Sequence, residues 1–231
     1  MAKYLIHCCP RREWYVKKYL VPSMLKQGIL RDDIMVYNDT FGHGNLKAFV
    51  DSCEAALKRW GEEEGIWHLQ DDVLICNDFK KRTNRYKKGL VCGFTCKYDK
   101  TPEPGTYKIH EHLLWFSFPC IRIPTMIMHE FVKWSKKNLW NNPYFREWVI
   151  RKRGDDFVFR EFMYYYYPHY QHTNVAPNLV EHIDYLLGGT TVNQWRENLK
   201  SGSNVRSAYW NDEDLVNQLA EKIAIELGNN I

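Results

Sequence analysis

The chain has 231 residues, of which 45% are hydrophobic, 15% aromatic and 26% charged. This length and composition predict a globular protein with one large domain, or one domain with a tail, and exclude an intrinsically disordered chain. The formal net charge of +4 permits a polyanionic partner but does not require one.

The sequence shows no pattern typical of a targeting or membrane segment. No apolar run approaches the ~20 residues that a membrane-spanning helix needs, and Arg11 and Arg12 come too early for the apolar core of a signal peptide. The seven cysteines are odd in number and scattered, which favours reduced thiols over a disulfide framework. We therefore expect a cytoplasmic protein without a membrane partner.

The first 75 residues alternate between short apolar runs and helical patterns. The first run stops at Pro10, and the helical pattern that follows ends at Gly28, a typical C-cap. Strands are predicted at 3–9, 32–39 and 66–75, and helices at 13–28 and 46–65. Two strand–helix units that lead into a third strand predict a parallel α/β sheet.

The pattern after residue 88 is less regular. Strand material is predicted at 89–99 and 110–124, a loop at 100–107, and helices at 125–140, 157–168 and 211–228. Residues 196–206 are typical of a flexible loop. We expect a main domain over 1–195, with the loop and C-terminal helix of 196–231 packed on the same domain.

Two adjacent aspartates, Asp71 and Asp72, interrupt the third apolar run. In an open α/β sheet, ligands bind beyond the carboxyl ends of the parallel strands. Adjacent carboxylates repel each other unless a cation or hydrogen-bond donors stabilise them. Oxygen ligands of this kind suit Mg²⁺ or Mn²⁺, usually shared with substrate phosphates. A strand-end turn with solvated aspartates is the alternative, and the pair alone leaves both interpretations open.

The surrounding motifs follow a distinctive order: a strand, a Pro-Arg turn, a helix, a strand ending in Asn38-Asp39, a helix and then "HLQDDV". This order resembles the nucleotide-binding half of GT-A-fold glycosyltransferases, whose signature is an acidic triplet of the Asp-x-Asp type. Gln70 stands where several of those families have the first acidic residue. The resemblance implies that Asp72 is a metal ligand and that Asp71 contacts the ribose or the donor sugar.

Two later stretches resemble further motifs of that fold, and together the resemblance covers roughly residues 3–190. "RKRGDDFVFREF" (151–162) is similar to the second acidic motif, which supplies the catalytic base in inverting members. Asp156 is favoured as the base over Asp155, and either aspartate alternatively caps the helix. "APNLVEHIDYLLGG" (176–189) is similar to the segment in which a histidine closes the metal site, which implies His182 as the second protein ligand.

The resemblance implies an α/β, Rossmann-like mixed sheet flanked by helices, in a single domain with a C-terminal helix. It also implies sugar transfer from a nucleotide diphosphate sugar to a hydroxyl, with Mn²⁺ or Mg²⁺ and with inversion; a retaining outcome stays open. Pro10, Arg11 and Asp39 would then cradle the base and ribose. Arg206, with Lys200 as a second candidate, would close over the phosphates and exclude water.

The acceptor is predicted from charge and aromatic residues. Two basic clusters lie on the expected acceptor side, at Lys80, Lys81, Arg82, Arg85, Lys87 and Lys88 and at Arg151, Lys152 and Arg153. Phe79, Tyr86 and Tyr164–Tyr167 accompany them, and such residues contact phosphates and stack on bases. The small chain resembles phage-encoded enzymes that glycosylate hydroxymethylated pyrimidines in DNA, so we expect a DNA acceptor. Solvated lysine-rich loops are the alternative.

Two other functions and one other metal site are less compatible with the sequence. A glycosyltransferase acting on a cell-surface polysaccharide or lipid-linked sugar often has a membrane-contact helix, but helix 211–228 is too acidic for an anionic surface. A non-enzymatic nucleic-acid-binding domain leaves both aspartate pairs and His182 unexplained. A zinc site at Cys92 and Cys96 lacks a second pair of ligands at the usual spacing.

Overall fold

The computed structural model describes residues 1–42, 44–95, 104–109, 118–139, 154–187 and 210–228. The strands in these ranges are β1 (Lys3–Cys8), β2 (Ile34–Asn38), β3 (Gly65–Gln70), β4 (Val73–Ile75), β5 (Leu90–Cys92), β6 (Gly105–Lys108), β7 (Cys120–Pro124), β8 (Gln171–Asn174) and β9 (Val180–His182). The helices are α1 (Glu13–Tyr15), α2 (Val21–Lys26), α3 (Asn45–Trp60), α4 (Phe79–Thr83), α5 (Thr125–Asn138), α6 (Asp155–Tyr166) and α7 (Glu213–Gly228).

A seven-stranded mixed sheet with the order β2-β1-β3-β7-β5-β8-β6 forms the centre of the fold. β1 runs parallel to both β2 and β3, whereas β7 runs antiparallel to β3 and β5. The predicted α/β class with a mixed, Rossmann-like sheet and flanking helices is therefore confirmed, and the parallel part is limited to the first three strands and the β5–β8 pair.

The strand order reverses at β1, because the chain goes from β1 to β2 on one side and then crosses to β3 on the other. The carboxyl ends of β1 and β3 therefore open a crevice at a topological switch point, where α/β sheets bind their ligands. Residues 9–12 follow β1 at this edge, and Asp71 and Asp72 follow β3.

Alternating side chains of β1 separate two hydrophobic cores on opposite faces of the sheet, as the two-residue period of a strand requires. Tyr4, Ile6 and Cys8 belong to the core that contains residues of α1, α2 and α7. Leu5 belongs to the other core, which contains residues of α3, α5 and α6. The C-terminal helix α7 thus packs on the sheet through Val216, Leu219 and Ile223.

The first helical segment is continuous from α1 to α2, with a π-helical turn at Val16–Leu20 between them. Pro22 lies in the first turn of α2. A proline has no backbone N–H to continue the α-helical ladder, and the change in hydrogen-bond pattern directly before Pro22 accommodates this loss. The sequence pattern located this helix correctly but gave no sign of the π turn.

The third apolar run, 66–75, forms two strands with the aspartates between them. β3 stops at Gln70, Asp71 and Asp72 form a turn, and β4 leaves the main sheet to pair antiparallel with β9. β6, β8 and β9 were not predicted, because they are short and carry polar residues, and β6 begins inside the predicted loop 100–107. The expected segments 96–99, 110–117 and 196–206 lie outside the described residues, as does the proposed boundary at residue 195.

Candidate functional site

Asp71 and Asp72 are buried at the carboxyl end of β3, so the solvated-turn interpretation does not hold. Asp71 Oδ2 accepts a hydrogen bond of 2.7 Å from the backbone N–H of Cys9, directly after β1. This contact joins the ends of the two parallel strands on either side of the switch point. The aspartate pair therefore lies where the topology predicts a ligand site.

A buried arginine, Arg12, holds three carboxylates together. Its Nη1 atom lies 2.8 Å from Asp71 Oδ1 and 2.5 Å from Asp72 Oδ2. Its Nη2 atom donates to Asp184 Oδ1. The two donor edges of a planar guanidinium suit several carboxylates at once. We call Arg12, Asp71, Asp72, His182 and Asp184 the acidic cluster.

The β4–β9 pair brings His182 to this cluster. Val73 lies opposite His182 in the antiparallel register, and the Ile183 N–H donates to the Asp72 carbonyl at 2.8 Å. His182 Nε2 lies 3.2 Å from Asp72 Oδ2. The structure therefore brings together Asp72 and His182, the two residues that the sequence motifs proposed as metal ligands.

Burial and charge act in opposite directions on these groups. Burial favours the neutral form of Asp72, but His182 and Arg12 outweigh it and lower the Asp72 pKa. Burial and the neighbouring Asp72 raise the pKa of Asp71. Burial opposes protonation of His182, but Asp72 and then Asp184 raise its pKa overall. Within the described residues, the three carboxylates contact one guanidinium and one imidazole, and the adjacent Asp71 and Asp72 repel each other.

The second aspartate pair lies in the first turn of α6, where the helix dipole stabilises negative charge. Gly154 is the N-cap residue, so neither aspartate is the N-cap. Burial raises the pKa of Asp155 to about 6, and Asp72 adds to this, whereas the Gln70 side chain favours the ionised form. Burial and then Asp155 raise the pKa of Asp156 to about 7.

Asp155 and Asp156 differ in their surroundings. Asp155 is buried and interacts electrostatically with Gln70 and Asp72, both at the acidic cluster. Asp156 is half-buried, and its Oδ1 accepts a 2.8 Å hydrogen bond from the Phe157 N–H. Asp155 is therefore the aspartate of this pair whose pKa Asp72 raises, whereas Asp156 is the one that the sequence motif favours as the base.

The residues expected to cradle a nucleotide follow the first two strands. Pro10 and Arg11 are exposed in the short helical turn after β1. Asp39 is buried, its N–H donates to the Cys8 carbonyl at 2.9 Å, and its Oδ2 accepts from the Gly44 N–H at 3.2 Å. Arg206 and Lys200 lie outside the described residues.

The acidic cluster contains two candidate ligands for a divalent cation, but one of them also contacts Arg12. Asp72 and His182 offer a carboxylate and an imidazole, and Asp72 Oδ1 is buried without a hydrogen-bond partner among the described residues. Within those residues, no group of three or more His, Cys, Asp or Glu side chains has a geometry that could hold a metal ion. Two protein ligands suit Mg²⁺ or Mn²⁺, which usually take further ligands from water and phosphates. Arg12, however, already occupies one oxygen of Asp72.

Sequence reasoning missed Arg12 and Asp184, which complete the cluster. Each gave a weak signal: Arg12 follows the Pro-Arg turn after β1, and Asp184 lies two residues beyond His182. An arginine near a strand end is usually solvated, and the β4–β9 pairing that places Asp184 beside it was not predicted.

The first basic cluster divides into exposed and structural residues. Lys81, Arg85, Lys87 and Lys88 are exposed. Arg82 is half-buried: its Nη1 atom donates to the Asn178 carbonyl at 3.1 Å and its Nη2 atom donates to the Pro177 carbonyl. Arg82 therefore stabilises the segment before β9. The second cluster, 151–153, lies outside the described residues.

The described cysteines are free thiols, and the described helices are not suited to crossing a membrane. Six cysteines lie in the described ranges, and none of them forms a disulfide. Burial raises the pKa of Cys92 to about 12, and Cys96 lies outside the described residues. Within the described ranges, every helix is too short or too polar to span a lipid bilayer.

Comparison with known proteins gives distant structural likenesses. No family model matches the sequence, and no curated protein matches it. The chain is similar in structure to A197 from STIV, with 14% identity, coverage of 78% of this chain and 85% of that chain, and a TM-score of 0.45. It is also similar to UTP-bound UGPase from Acinetobacter baumannii, with 10% identity, coverage of 82% and 73%, and a TM-score of 0.35. Likenesses of this size carry no argument about activity.

Proposed function

We propose that this protein transfers a sugar from a nucleotide diphosphate sugar to a hydroxyl acceptor. The observation that carries the proposal is the buried Asp71–Asp72 pair at the switch point, with His182 against Asp72 and Asp155 interacting with the same aspartate. Two adjacent buried carboxylates are costly unless cations or hydrogen-bond donors stabilise them. Such a cost is common at functional sites.

The concentration of buried carboxylates at this site supports a role for a divalent cation. A diphosphate is itself anionic, and the three carboxylates of the cluster would repel it. Asp72 and His182 would hold Mn²⁺ or Mg²⁺, which supplies Lewis-acid stabilisation of the negative charge that develops on the departing diphosphate. Arg12 would release its contact to Asp72 and keep its contacts to Asp71 and Asp184.

The protein groups then divide the remaining work. Asp155 takes the proton of the acceptor hydroxyl. At the same time the hydroxyl oxygen forms a bond to the anomeric carbon of the sugar, and the bond between that carbon and the diphosphate breaks. Its interaction with Asp72 supports Asp155 over Asp156 for this role. Asp71 contacts the ribose or donor sugar, and Pro10, Arg11 and Asp39 cradle the nucleoside. Arg206, which lies outside the described residues, stays the candidate for contact with the phosphates, and an in-line base would make the reaction inverting.

The proposed acceptor is DNA that carries hydroxymethylated pyrimidines. The exposed residues Lys81, Arg85, Lys87 and Lys88 support it, because basic side chains bind the phosphate backbone. A target base within a duplex would have to be flipped out of the stack. Transfer to hydroxymethylated but not to unmodified DNA tests this acceptor, and transfer only to a glycan or lipid-linked sugar would replace it.

The transferase proposal is tested with a panel of nucleotide sugars and Mn²⁺, with release of nucleotide diphosphate as the readout. We expect one donor to be turned over, and Asp72→Asn to abolish turnover. Asp32→Asn is the matched control, since the Asp32 side chain is 98% exposed and lies outside the cluster. Turnover that Asp72→Asn leaves unchanged would refute the proposed site.

A further inference from the structure

A groove of about 720 Å³ lies between the C-terminal helix α7 and the rest of the domain. Its volume is within the range of about 300–1,000 Å³ that is typical of ligand sites. Leu74 and Ile75 of β4 and Tyr15 of α1 supply a buried apolar and aromatic part of its lining. Among the described residues, this groove shares none with the acidic cluster, although Tyr15 donates a 2.8 Å hydrogen bond to the carbonyl of Val73, next to Asp72.

The lining of this groove is strongly basic. Its charged residues are one aspartate, Asp78, and four lysines, namely Lys26, Lys80, Lys81 and Lys222. The Lys80 ammonium donates to the carbonyl of Gly28. The other three lysines have no ion pair within the described part of the chain. Four ammonium groups around one concavity repel one another unless an anion is present.

The charged residues of α7 differ in whether they line the groove. The helix contains four acidic residues and one basic residue. None of the acidic residues, Glu213, Asp214, Glu221 and Glu226, lines the groove, whereas Lys222 does. A helix that is acidic elsewhere therefore presents its only positive charge to this concavity.

Polar contacts near both ends of α7 fix this wall of the groove. Just before the helix, Asp212 accepts hydrogen bonds from the backbone N–H of Asn77 at 3.2 Å and from its side-chain amide at 3.3 Å. Near the other end, Glu226 accepts from the Tyr19 hydroxyl at 2.8 Å and pairs with Lys18. The helix is therefore attached at two points, and the groove between them is a built feature of the fold.

We propose that this groove binds the phosphate groups of a polyanionic ligand. Lysine is a common phosphate-binding residue because its ammonium acts as a compact point charge with three donors. Tyr15 and the leucines of the lining provide an apolar surface beside the charges. The phosphates could belong to a free oligophosphate or to a nucleic-acid backbone. The inference shares Lys81 with the proposed DNA-binding surface but uses no residue of the acidic cluster, so its failure can be distinguished from a failure of the proposed sugar transfer.

The test measures binding of two probes to the full chain in the presence of EDTA, so that no divalent cation bridges a phosphate to the acidic cluster. The probes are inorganic tripolyphosphate and an unmodified 12-base-pair DNA duplex. The groove variant is Lys26→Gln combined with Lys222→Gln, because neither lysine belongs to the surface proposed to bind acceptor DNA. The control is Lys133→Gln with Lys137→Gln, which removes the same charge from two exposed positions of α5 outside the groove.

We expect the groove variant to lose about tenfold or more in affinity for at least one probe, whereas the control variant keeps the affinity of the wild type. If the duplex binds, the groove variant should also have a log–log salt slope reduced by about 1.8, for two lost phosphate contacts. Loss for tripolyphosphate alone assigns a free phosphate ligand, and loss for the duplex assigns a nucleic-acid backbone. No binding of either probe, or equal losses in both variants, would overturn the proposal.

Discussion

Arg12 Nη1 lies 2.5 Å from Asp72 Oδ2, on the same carboxylate oxygen that His182 Nε2 approaches to 3.2 Å. A guanidinium therefore occupies a position next to the two residues proposed as metal ligands. Because Arg12 also contacts Asp71 and Asp184, it neutralises part of the charge that would otherwise destabilise the metal-free site. A cation bound at Asp72 must compete with this internal one.

The first prediction concerns this competition. Arg12→Met should lower the free energy of unfolding in EDTA by about 3–5 kcal/mol, because it leaves buried carboxylates without their cation. Mn²⁺ should then raise the melting temperature of the variant more than that of the wild type, since Asp72 no longer has the competing arginine. Thermal unfolding with and without Mn²⁺ measures both effects.

Arg11→Met serves as the control for that experiment, because Arg11 is the exposed neighbour of Arg12. It should change neither the unfolding free energy in EDTA nor the response to Mn²⁺ appreciably. If Mn²⁺ shifts the melting temperatures of Arg12→Met and the wild type equally, Arg12 does not compete with a cation at this site.

The second prediction separates the two proposed metal ligands. Asp72→Asn should abolish calorimetric binding of Mn²⁺ and of a Mn²⁺-dependent donor, because a charged ligand is lost. His182→Ala should weaken binding less, because water can replace a neutral ligand. If Asp72→Asn binds Mn²⁺ like the wild type, the metal site lies elsewhere. If His182→Ala binds Mn²⁺ and the donor like the wild type, the histidine has a structural role.

The sequence allowed the prediction of those features that depend on local pattern. The first three strands, α3 and α5 follow from apolar periodicity, and the switch-point location of Asp71 follows from the strand–helix order. Arg12 and Asp184 were missed because their roles depend on contacts between residues 172 positions apart. The choice between Asp155 and Asp156 as the base stays a prediction, and the sequence could not relate Asp155 to Gln70 and Asp72 because that relationship depends on the packing of α6.

The third prediction distinguishes the two candidate bases. Asp155→Asn should reduce kcat strongly and leave donor affinity intact, because general-base catalysis acts only in the transition state. Asp156→Asn is the matched substitution on the same helical turn and should reduce kcat less. Steady-state kinetics and donor titrations on both variants show which aspartate is the base. If both variants have the kcat of the wild type, the base lies outside α6.

The pH dependence provides a separate check on Asp155. Its pKa is raised to about 6, with Asp156 and Asp72 as acidic neighbours, so the transfer rate should rise with pH and level off above a midpoint near 6. The free energy of unfolding has the opposite pH dependence. Because the folded state binds this proton more tightly than the unfolded state, the protein loses stability as the pH rises through the folded-state pKa of about 6. Asp155→Asn should therefore raise the melting temperature at pH 8 more than at pH 5.

The fourth prediction uses Gln70, whose side chain favours the ionised form of Asp155. Gln70→Glu replaces this amide by a carboxylate and should raise the Asp155 pKa further, because like charges disfavour ionisation. The midpoint of the pH–rate profile should move to higher pH, while the rate on the plateau changes less. A midpoint that stays in place would mean that the titrating group is not beside Gln70.

The last prediction concerns Arg82, which sequence reasoning grouped with the DNA-contacting lysines. Its guanidinium donates to the carbonyls of Pro177 and Asn178, just before β9, the strand that carries His182. Arg82→Ala leaves these acceptors without their charged donor and should reduce the free energy of unfolding by about 1–3 kcal/mol. Lys87→Ala, at an exposed position of the same basic cluster, should leave stability unchanged and lower only the salt-dependent affinity for DNA. Denaturant unfolding should therefore detect a loss of stability in Arg82→Ala but not in Lys87→Ala, and DNA titration should detect a loss of affinity in Lys87→Ala. If Arg82→Ala keeps the stability of the wild type and has a reduced salt slope for DNA binding, Arg82 contacts phosphates instead.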